Sequence, residues 1–391
     1  MSKLFWFTIG LAFSEAIVPM NAFSQATDSG TPYPTEKFSP NADIWQPVDA
    51  DSVRAGRPDG VQAILVLEDG RAFRSRRLPS AVAEVPTRFA GKPSDAREIA
   101  PDLVPQGARR AGFVAGSTGN TQAAAWSLAA PSEPLGVILG DTDDRNLIGD
   151  EQTLRRYPAR TIGSLSGNSD GGTGCSGVMV GPRHVLTAAH CLYDSDGNWP
   201  SNIYFAPGQR GDEHPNGEPR RMVARYARTW SISWDYGLII LEDRPETAAL
   251  GWMGMGWYAP LSSYAGKTVF NSGYPISTQE CAASPNMNGS CGGFMYGDVC
   301  AMDHATGGYA MYDCDTTGGH SGSPVWRYWG DSPVVLAVHK RGNEPGSGAD
   351  VTSQPATLNL GPRLRPEIWN DLCDWMREWP SQFASHALCS P

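Results

Sequence analysis

The sequence predicts an all-β fold of short antiparallel strands, followed by one C-terminal helix. From residue 161 to residue 242, short apolar runs are interrupted by Gly, Pro and Asp, which is the pattern of strands joined by turns. A second series of such runs extends from residue 267 to residue 339. Two successive series of this kind predict two antiparallel β-barrels.

The strands can be placed in order within this plan. Residues 234–241 are one acidic residue followed by an apolar run, which predicts a buried strand of the first barrel. The Gly-, Met- and Trp-rich residues 249–263 are expected to cross between the barrels. Residues 267–270 begin the second barrel, and residues 333–339 form one of its later strands.

The C-terminal helix is predicted over residues 366–379. Pro366 suits the first helical turn, where its missing N–H is not needed, and Pro380 ends the helix. Its apolar side chains share one face of the helix: Ile368, Leu372, Trp375, Met376 and Trp379. We expect this face to pack against the protein rather than to bind a ligand.

The first 26 residues have the features of a signal peptide. Lys3 gives a charged start, residues 4–13 are apolar, and small residues near Ala26 suit a cleavage site. The apolar run is shorter than the ~20 residues that a membrane span needs. We therefore expect a secreted protein, extracellular or periplasmic, without membrane association.

Residues 27–136 are rich in Pro, Ala, Arg and Ser and contain no motif typical of catalysis. Their clearest strand signal is the apolar run 61–67, which precedes the turn sequence 68–71. In a secreted enzyme such a region is most simply a propeptide, and a separate binding domain is the alternative.

Eight cysteines in a chain with an export signal predict disulfides. Cys373 and Cys389 are expected to pair. The remaining four cysteines leave three connectivities open: Cys281, Cys291, Cys300 and Cys314.

The sequence has no zinc-type cluster and no complete calcium loop, so we expect no metal and no cofactor. A net charge of -10 argues against nucleic acid as a partner.

Two separated segments carry the strongest functional signal. Residues 174–191 begin with Gly-Cys-Ser-Gly and end with Leu-Thr-Ala-Ala-His-Cys, and residues 318–324 form a Gly-rich turn that presents Ser321 before an apolar strand. In this order the segments resemble the two catalytic signatures of chymotrypsin-like serine peptidases. The resemblance implies that His190 is the base, that Ser321 is the nucleophile, and that a Cys175–Cys191 disulfide brackets the histidine.

Such chemistry also needs a carboxylate between the two segments, and Asp235 occupies that place. The resulting order His190, Asp235, Ser321 is that of the chymotrypsin-like enzymes, whereas subtilisin-like and α/β-hydrolase enzymes use other orders. The backbone N–H groups of Gly319 and Ser321 are expected to form the oxyanion hole.

A narrower resemblance begins at Val137. Residues 137–145 resemble the mature amino terminus of the V8-like glutamyl endopeptidases, residues 157–163 their first barrel strand, and residues 312–317 the lead-in to their nucleophile. The resemblance covers residues 137–379. It implies a chymotrypsin-like double six-stranded antiparallel β-barrel with these bounds: a peptidase domain at 137–391, a first barrel at about 157–248 and a second at about 264–362. A cut just before Val137 would release this domain; a tryptic cut after Arg160 would leave too little chain for the first strand.

The same resemblance implies the substrate pocket. Thr316, five positions before the nucleophile, and His339 match residues that line the S1 pocket in the family, and the new amino group of Val137 is expected beside them. These groups imply cleavage after Glu, with Asp weaker. Lys340 and the following Arg341 stand where the family more often has Trp-Gly.

Asp315 supports a different specificity. It lies six residues before the nucleophile, where trypsin-like enzymes place the carboxylate that binds Arg or Lys. If the pocket binds Glu, we expect Asp315 to point away from the substrate or to be paired inside the protein. His320, where the family usually has Asn or Gln, is expected to be an exposed turn residue.

The sequence therefore predicts a secreted serine endopeptidase, made with a signal peptide and a propeptide, that acts on proteins or peptides as a monomer. Cleavage after Glu is preferred over cleavage after Arg or Lys. A catalytically silent homologue that binds proteins through the same cleft is the alternative of a different class.

Overall fold

The computed structural model describes residues 38–49, 63–76, 138–139, 143–167, 174–193, 198–228, 234–258, 260–276, 292–343 and 358–384. The expected signal peptide, Val137, Cys281, Cys291 and Cys389 lie outside these ranges.

The described residues form mainly strands. In chain order they are β1 (Trp45–Val48), β2 (Ile64–Leu67), β3 (Ala72–Ser75), β4 (Asn146–Ile148), β5 (Ile162–Ser166), β6 (Cys175–Gly181), β7 (His184–Thr187), β8 (Tyr204–Pro207), β9 (Arg220–Arg228), β10 (Tyr236–Leu241), β11 (Gly254–Met255), β12 (Lys267–Gly273), β13 (Met295–Ala305), β14 (Tyr309–Tyr312), β15 (Pro324–Trp329), β16 (Ser332–Val338), β17 (Arg341–Asn343) and β18 (Leu358–Pro362). The α-helices are α1 (Glu151–Leu154), α2 (Pro245–Ala248) and α3 (Pro366–Glu378), with 3₁₀ turns at Ala159–Thr161, Ala189–Leu192 and Leu261–Ser263.

Six strands, β5 to β10, close into the first barrel. Their order is β9-β10-β7-β6-β5-β8, and β8 also pairs with β9, which completes the ring. Every residue of β6, β7 and β10 is buried, because one face of these strands fills the barrel and the other is covered by neighbouring elements. The expected first barrel is confirmed.

Three strands from the N-terminal region extend the first sheet beyond the barrel. β2 and β3 form a hairpin across the turn at residues 68–71, which confirms the strand and turn signals there, and β1 pairs with β3. β2 in turn pairs antiparallel with β9. No sequence pattern indicates that this hairpin joins the barrel sheet, and the expected first-barrel range begins only at about residue 157.

The second sheet runs in the order β11-β16-β15-β12-β13-β14-β18-β17, with β4 added on β13. It curls until β16 meets the end of β18, where Ala337 and Arg363 form a bridge and Leu364 N–H donates to the Leu336 carbonyl (2.7 Å). β12 begins at Lys267 and β16 contains residues 333–338, as predicted.

Helix α3 confirms the helix prediction and packs on the first barrel. Ile368, Leu372, Trp375 and Met376 are buried on one face. Asp371 binds Arg228 and the Tyr236 hydroxyl, and Trp375 stacks on Tyr226 with ring centroids 5.0 Å apart. Among the described residues, the helices lack the length and apolar character that a membrane crossing would need.

Disulfides join Cys175 to Cys191 and Cys300 to Cys314, and Cys373 is also disulfide-bonded. Of the three connectivities that the sequence left open, only one contains the Cys300–Cys314 pair. This bond ties β13 to the segment that leads into the Ser321 turn.

Candidate active site

His190 and Asp235 form a hydrogen-bonded pair at the ends of two paired strands. Thr187 of β7 lies opposite Gly237 of β10, so the residues just after β7 and just before β10 lie side by side. The Asp235 carboxylate accepts the His190 backbone N–H at Oδ1 (3.0 Å) and the ring Nδ1 at Oδ2 (2.7 Å). Because an ionised carboxylate only accepts, Nδ1 carries the proton and Nε2 presents its lone pair.

The Asp235 carboxyl is buried, with 4% of its surface exposed. Burial alone would raise its pKa, but the charges of His190 and Lys340 and the hydrogen bonds from His190 outweigh burial and hold the pKa well below its usual value. The Lys340 ammonium lies 3.5 Å from Asp235 Oδ2. Asp235 is therefore ionised at neutral pH and is shared by two basic side chains.

Ser321 lies in a turn that is fixed against the first barrel. Its carbonyl accepts the Ser176 N–H (2.7 Å) and lies 3.6 Å from Cys191 Sγ, next to His190. At the following Gly322, with φ +84°, a Cβ would lie 2.1 Å from Thr187 Oγ1, so only glycine lets the turn approach β7 this closely.

The Ser321 hydroxyl donates to the Lys340 carbonyl at 3.4 Å, a long hydrogen bond. His190 Nε2 is buried and has no hydrogen-bond partner within the described part of the chain. The Ser321 carbonyl thus lies near Cys191, which follows His190 in the chain, and no hydrogen bond joins the side chains of Ser321 and His190 among the residues described.

Two backbone donors remain unused in the same turn. Within the described ranges, the N–H groups of Gly319 and Ser321 meet no acceptor, whereas neighbouring amides at 320, 322 and 323 are all bonded. The Gly319 carbonyl faces the other way, toward Ser176 Oγ (2.8 Å). Gly319 adopts φ +95°, which glycine tolerates at little cost.

Thr316 and His339, the residues expected in the pocket, are both fully buried. The Thr316 hydroxyl has no partner among the described residues. His339 Nδ1 lies 2.6 Å from the Tyr312 hydroxyl, and burial raises the pKa of Tyr312 well above its usual value, so this phenol stays neutral. Val137, the third expected residue, lies outside the described ranges.

Asp315 is paired inside the protein, as expected. Its two carboxylate oxygens accept the backbone N–H groups of Leu139 and Asp144, each at 2.7 Å. The pKa of Asp315 is raised to about 6, mainly by burial; the two N–H donors lower it and the nearby charge of Asp298 raises it.

The comparisons with known proteins agree with this geometry. Residues 175–331 match the family model of the trypsin-like peptidase domain. A glutamyl endopeptidase of Bacillus licheniformis is 31% identical over 245 residues, which are 59% of this chain and 69% of that protein. The chain belongs to the V8-like family of trypsin-like serine endopeptidases.

Two further similarities accompany these matches. An extracellular metalloprotease of Bacillus subtilis is 28% identical to the peptidase over 249 residues, which are 62% of this chain and 70% of that protein. A solved structure of a Glu endopeptidase in complex with MPD superposes with a TM-score of 0.48 and 20% identity, over 62% of this chain and 99% of that one.

One group of metal-ligand side chains lies within 4.8 Å among the described residues of the peptidase: Cys175, His190 and Cys191. The two cysteines are joined in a disulfide and offer no thiolate, which is the form that binds metals. This group therefore lacks the donors of a metal site.

Asp143 and Arg145, which the sequence did not single out as functional residues, support the segment that leads into the Ser321 turn. Arg145 is fully buried, pairs with Asp143 (2.6 Å) and donates to Thr317 Oγ1 (2.6 Å). It belongs to the segment that resembles the family amino terminus, but no local pattern indicates its partner across 172 positions.

The expectation for His320 was wrong. The side chain is fully buried, and its Nδ1 lies 3.1 Å from Asn271 Oδ1. Because the Asn271 amide nitrogen donates to Ser323 Oγ and the Pro324 carbonyl, its oxygen is the acceptor, so His320 Nδ1 carries the proton. Burial lowers the pKa of His320 well below its usual value, with smaller contributions from Arg145 and His339, so the ring is neutral.

Proposed function

We propose that the peptidase cleaves peptide bonds through a triad of Ser321, His190 and Asp235, and that it prefers glutamate at P1. The observation that carries the triad is the His190–Asp235 pair, whose Nε2 has no partner among the described residues. The Ser321 turn, whose carbonyl lies 3.6 Å from Cys191 Sγ, has two backbone N–H groups without an acceptor in the same part of the chain. Together these features supply a base, a nucleophile and a site for negative charge.

In the proposed mechanism, His190 Nε2 takes the proton of the Ser321 hydroxyl as the oxygen attacks the substrate carbonyl carbon. The imidazolium that forms is stabilised by Asp235, which also holds the ring in the required tautomer. His190 then gives the proton to the leaving amine as the C–N bond breaks and the acyl-enzyme forms. Water attacks the ester by the same route and restores Ser321.

The negative oxygen of each tetrahedral intermediate accepts hydrogen bonds from Gly319 N–H and Ser321 N–H. Donors that are fixed before the reaction need no reorganisation when charge develops, and each is worth roughly 2.7–4 kcal/mol of transition-state stabilisation. The absence of a competing acceptor in the described residues supports this role.

The preference for glutamate rests on Thr316 and His339. A buried hydroxyl without a partner is unfavourable unless a ligand completes it, and a substrate carboxylate would do so at Thr316. The Tyr312 hydroxyl needs an acceptor and meets His339 Nδ1, so the histidine carries its proton on Nε2 and donates from that atom. Two neutral donors then meet the carboxylate.

Positive charge would come from the amino terminus made by a cut before Val137. Leu139 N–H is anchored on Asp315, the neighbour of Thr316, and two residues span at most about 7 Å. The proposed cut would create an amino group two residues before this anchor, and such a group is largely protonated near neutral pH, since its usual pKa is about 7.7–8.0.

The remaining parts of the proposal concern export and activation. The even set of cysteines, with the described ones in disulfides, supports secretion of a precursor with a signal peptide at 1–26 and a leader at 27–136. The mature domain would begin at or near Val137. The alternative of cleavage after Arg or Lys is disfavoured, because both oxygens of Asp315 already accept backbone N–H groups.

The triad is tested with a fluorophosphonate probe on the activated protein. We expect labelling at Ser321, complete loss in Ser321→Ala, and normal labelling in Ser332→Ala, which removes a serine remote from the cleft. An activated wild-type protein that neither labels nor cleaves casein would overturn the enzyme proposal.

Specificity is tested with matched peptides that carry Glu, Gln, Asp, Arg or Leu at P1. We expect kcat/KM to be highest for Glu, and we expect His339→Ala to reduce the Glu value far more than the Gln value. A preference of the wild type for Arg at P1 would contradict glutamate specificity and favour trypsin-like cleavage after Arg or Lys.

A further inference from the structure

The β2–β3 hairpin of the leader pairs with the part of β9 that the other strands of the first barrel leave open. β9 pairs with β10 along one side, and on its other side β8 covers only its first residues. β2 occupies the rest of that side, with Ile64 opposite Ala227 and Leu67 opposite Ala224. The pairing continues past the strand, where Glu68 N–H donates to the Val223 carbonyl (2.9 Å).

The hairpin and β1 are also packed as a core, not as a surface attachment. Leu65 is fully buried, and Val66 and Trp45 are each 2% exposed. The Trp45 ring lies 5.6 Å from that of Tyr226 on β9. Removal of an aromatic side chain buried this completely leaves a large cavity, so it contributes strongly to the stability of the packing.

Polar contacts hold the same region to the helix and the barrel. Trp45 Nε1 donates to Glu378 Oε1 (3.0 Å), and the other oxygen of Glu378 accepts the Tyr226 hydroxyl (2.7 Å). Glu68 forms an ion pair with Arg221 of β9 (3.1 Å). Departure of the leader would leave β9 with an open edge, the Tyr226 ring without its Trp45 cover, and Glu378 without one of its donors.

We propose that residues 41–76 stay bound to the peptidase after activation, as a second chain that completes the first sheet and holds α3 in place. The proposal rests on the proposed activation cut, which separates this segment from the catalytic domain. Its anchors are on β9 and α3, so retention is compatible with an open cleft. Residues 41–391 also form one compact unit, so residues 41–76 belong to the same unit as the catalytic domain.

The test uses the full chain with Ser321→Ala, which prevents self-digestion, and with the recognition sequence of a site-specific protease inserted between residues 80 and 130. Because the cut is engineered, the result does not depend on the natural activation site or on P1 specificity. After cutting, gel filtration at low protein concentration and mass spectrometry of the peak show whether the N-terminal fragment travels with the domain.

We expect the fragment to co-elute in buffer and to separate only in denaturant. Leu65→Asp should release it on cutting, whereas Gln46→Ala, a change at an exposed position of β1, should not. If the Leu65 variant fails to fold, hydrogen exchange of the cut parent protein decides, because retention requires protected amides at residues 64–67 of the fragment, which pair with β9. A fragment that elutes apart from the parent domain, or rapid exchange of those amides after cutting, would overturn the proposal.

Discussion

At the scale of single residues, the Asp235 carboxylate is shared between a histidine and a lysine. His190 Nδ1 lies 2.7 Å from one of its oxygens, and Lys340 Nζ lies 3.5 Å from the same oxygen. Burial raises the pKa of the Tyr193 phenol, and the charge of Asp235 adds to this increase. The lysine neutralises part of the charge that would stabilise an imidazolium during catalysis.

Removal of this lysine should change the pH dependence of catalysis. A cation beside Asp235 opposes a second positive charge on the neighbouring ring, so Lys340→Met should move the acidic limb of the kcat/KM profile to higher pH. Lys340→Arg should keep the wild-type limb, and so should Lys267→Met, which removes a lysine on β12. An unchanged limb in Lys340→Met would show that the ammonium has no influence on the histidine.

Tyr312 should determine how strongly His339 recognises an acidic side chain. Its hydroxyl meets His339 Nδ1 at 2.6 Å, and its loss frees the ring to adopt the other tautomer. Tyr312→Phe should lower kcat/KM for Glu peptides about tenfold, which corresponds to one hydrogen bond of about 1–1.5 kcal/mol, with a smaller change for Gln peptides. Tyr258→Phe, in the packing of the second sheet, serves as the control. Equal losses for Glu and Gln peptides would mean that Tyr312 has only a structural role.

At the scale of elements, the segment before β4 is attached to the lead-in of the Ser321 turn. Asp315 holds the Leu139 and Asp144 amides, and Arg145 donates to Thr317. β4 then pairs with β13 from Ile148 to Asn146. The segment that follows the proposed activation cut is therefore in direct contact with the segment that carries the proposed substrate-binding and nucleophile residues.

This attachment should depend on pH through Asp315. Its pKa is about 6 in the folded protein, above the ordinary value of 3.8, so the folded state holds this proton more tightly than the unfolded chain. The stability contributed by the proton is complete below pH 3.8 and is lost as pH rises to about 6. The melting temperature of the wild type should therefore fall between these pH values relative to that of Asp315→Asn, which does not titrate.

Parallel thermal melts of the two proteins across this range provide the measurement, and Asp331→Asn, which changes an exposed carboxylate, provides the control. A constant difference between the wild type and Asp315→Asn from pH 4 to pH 7 would contradict the elevated pKa.

At the scale of the whole molecule, the sequence predicted those features that short local motifs determine. His190, Asp235 and Ser321 each lie beside a strand whose apolar run is recognisable, so their elements could be predicted. The pairing of β2 with β9 could not, because Ile64 and Ala227 are distant in sequence and nothing local encodes their register. The prediction that His320 is exposed was wrong. A polar residue in a Gly-rich turn is typically exposed, whereas here the turn packs between the two sheets.

The same long-range packing predicts how the leader, the barrel and the C-terminal helix depend on one another. Glu378 accepts Trp45 Nε1 and the Tyr226 hydroxyl with separate oxygens. Gln at this position would keep one acceptor and turn an amide N–H₂ toward the other donor. Glu378→Gln should therefore lower the free energy of unfolding by about 1–3 kcal/mol. It should also make residues 41–76 more accessible to added proteases, while the kcat/KM of the activated enzyme is unchanged.

Chemical denaturation and limited proteolysis measure these two effects of Glu378→Gln. Arg377→Ala, an exposed change in the same helical turn, is the control. If Glu378→Gln unfolds like the wild type and its N-terminal hairpin is equally resistant, then α3 and the leader are not coupled through this carboxylate.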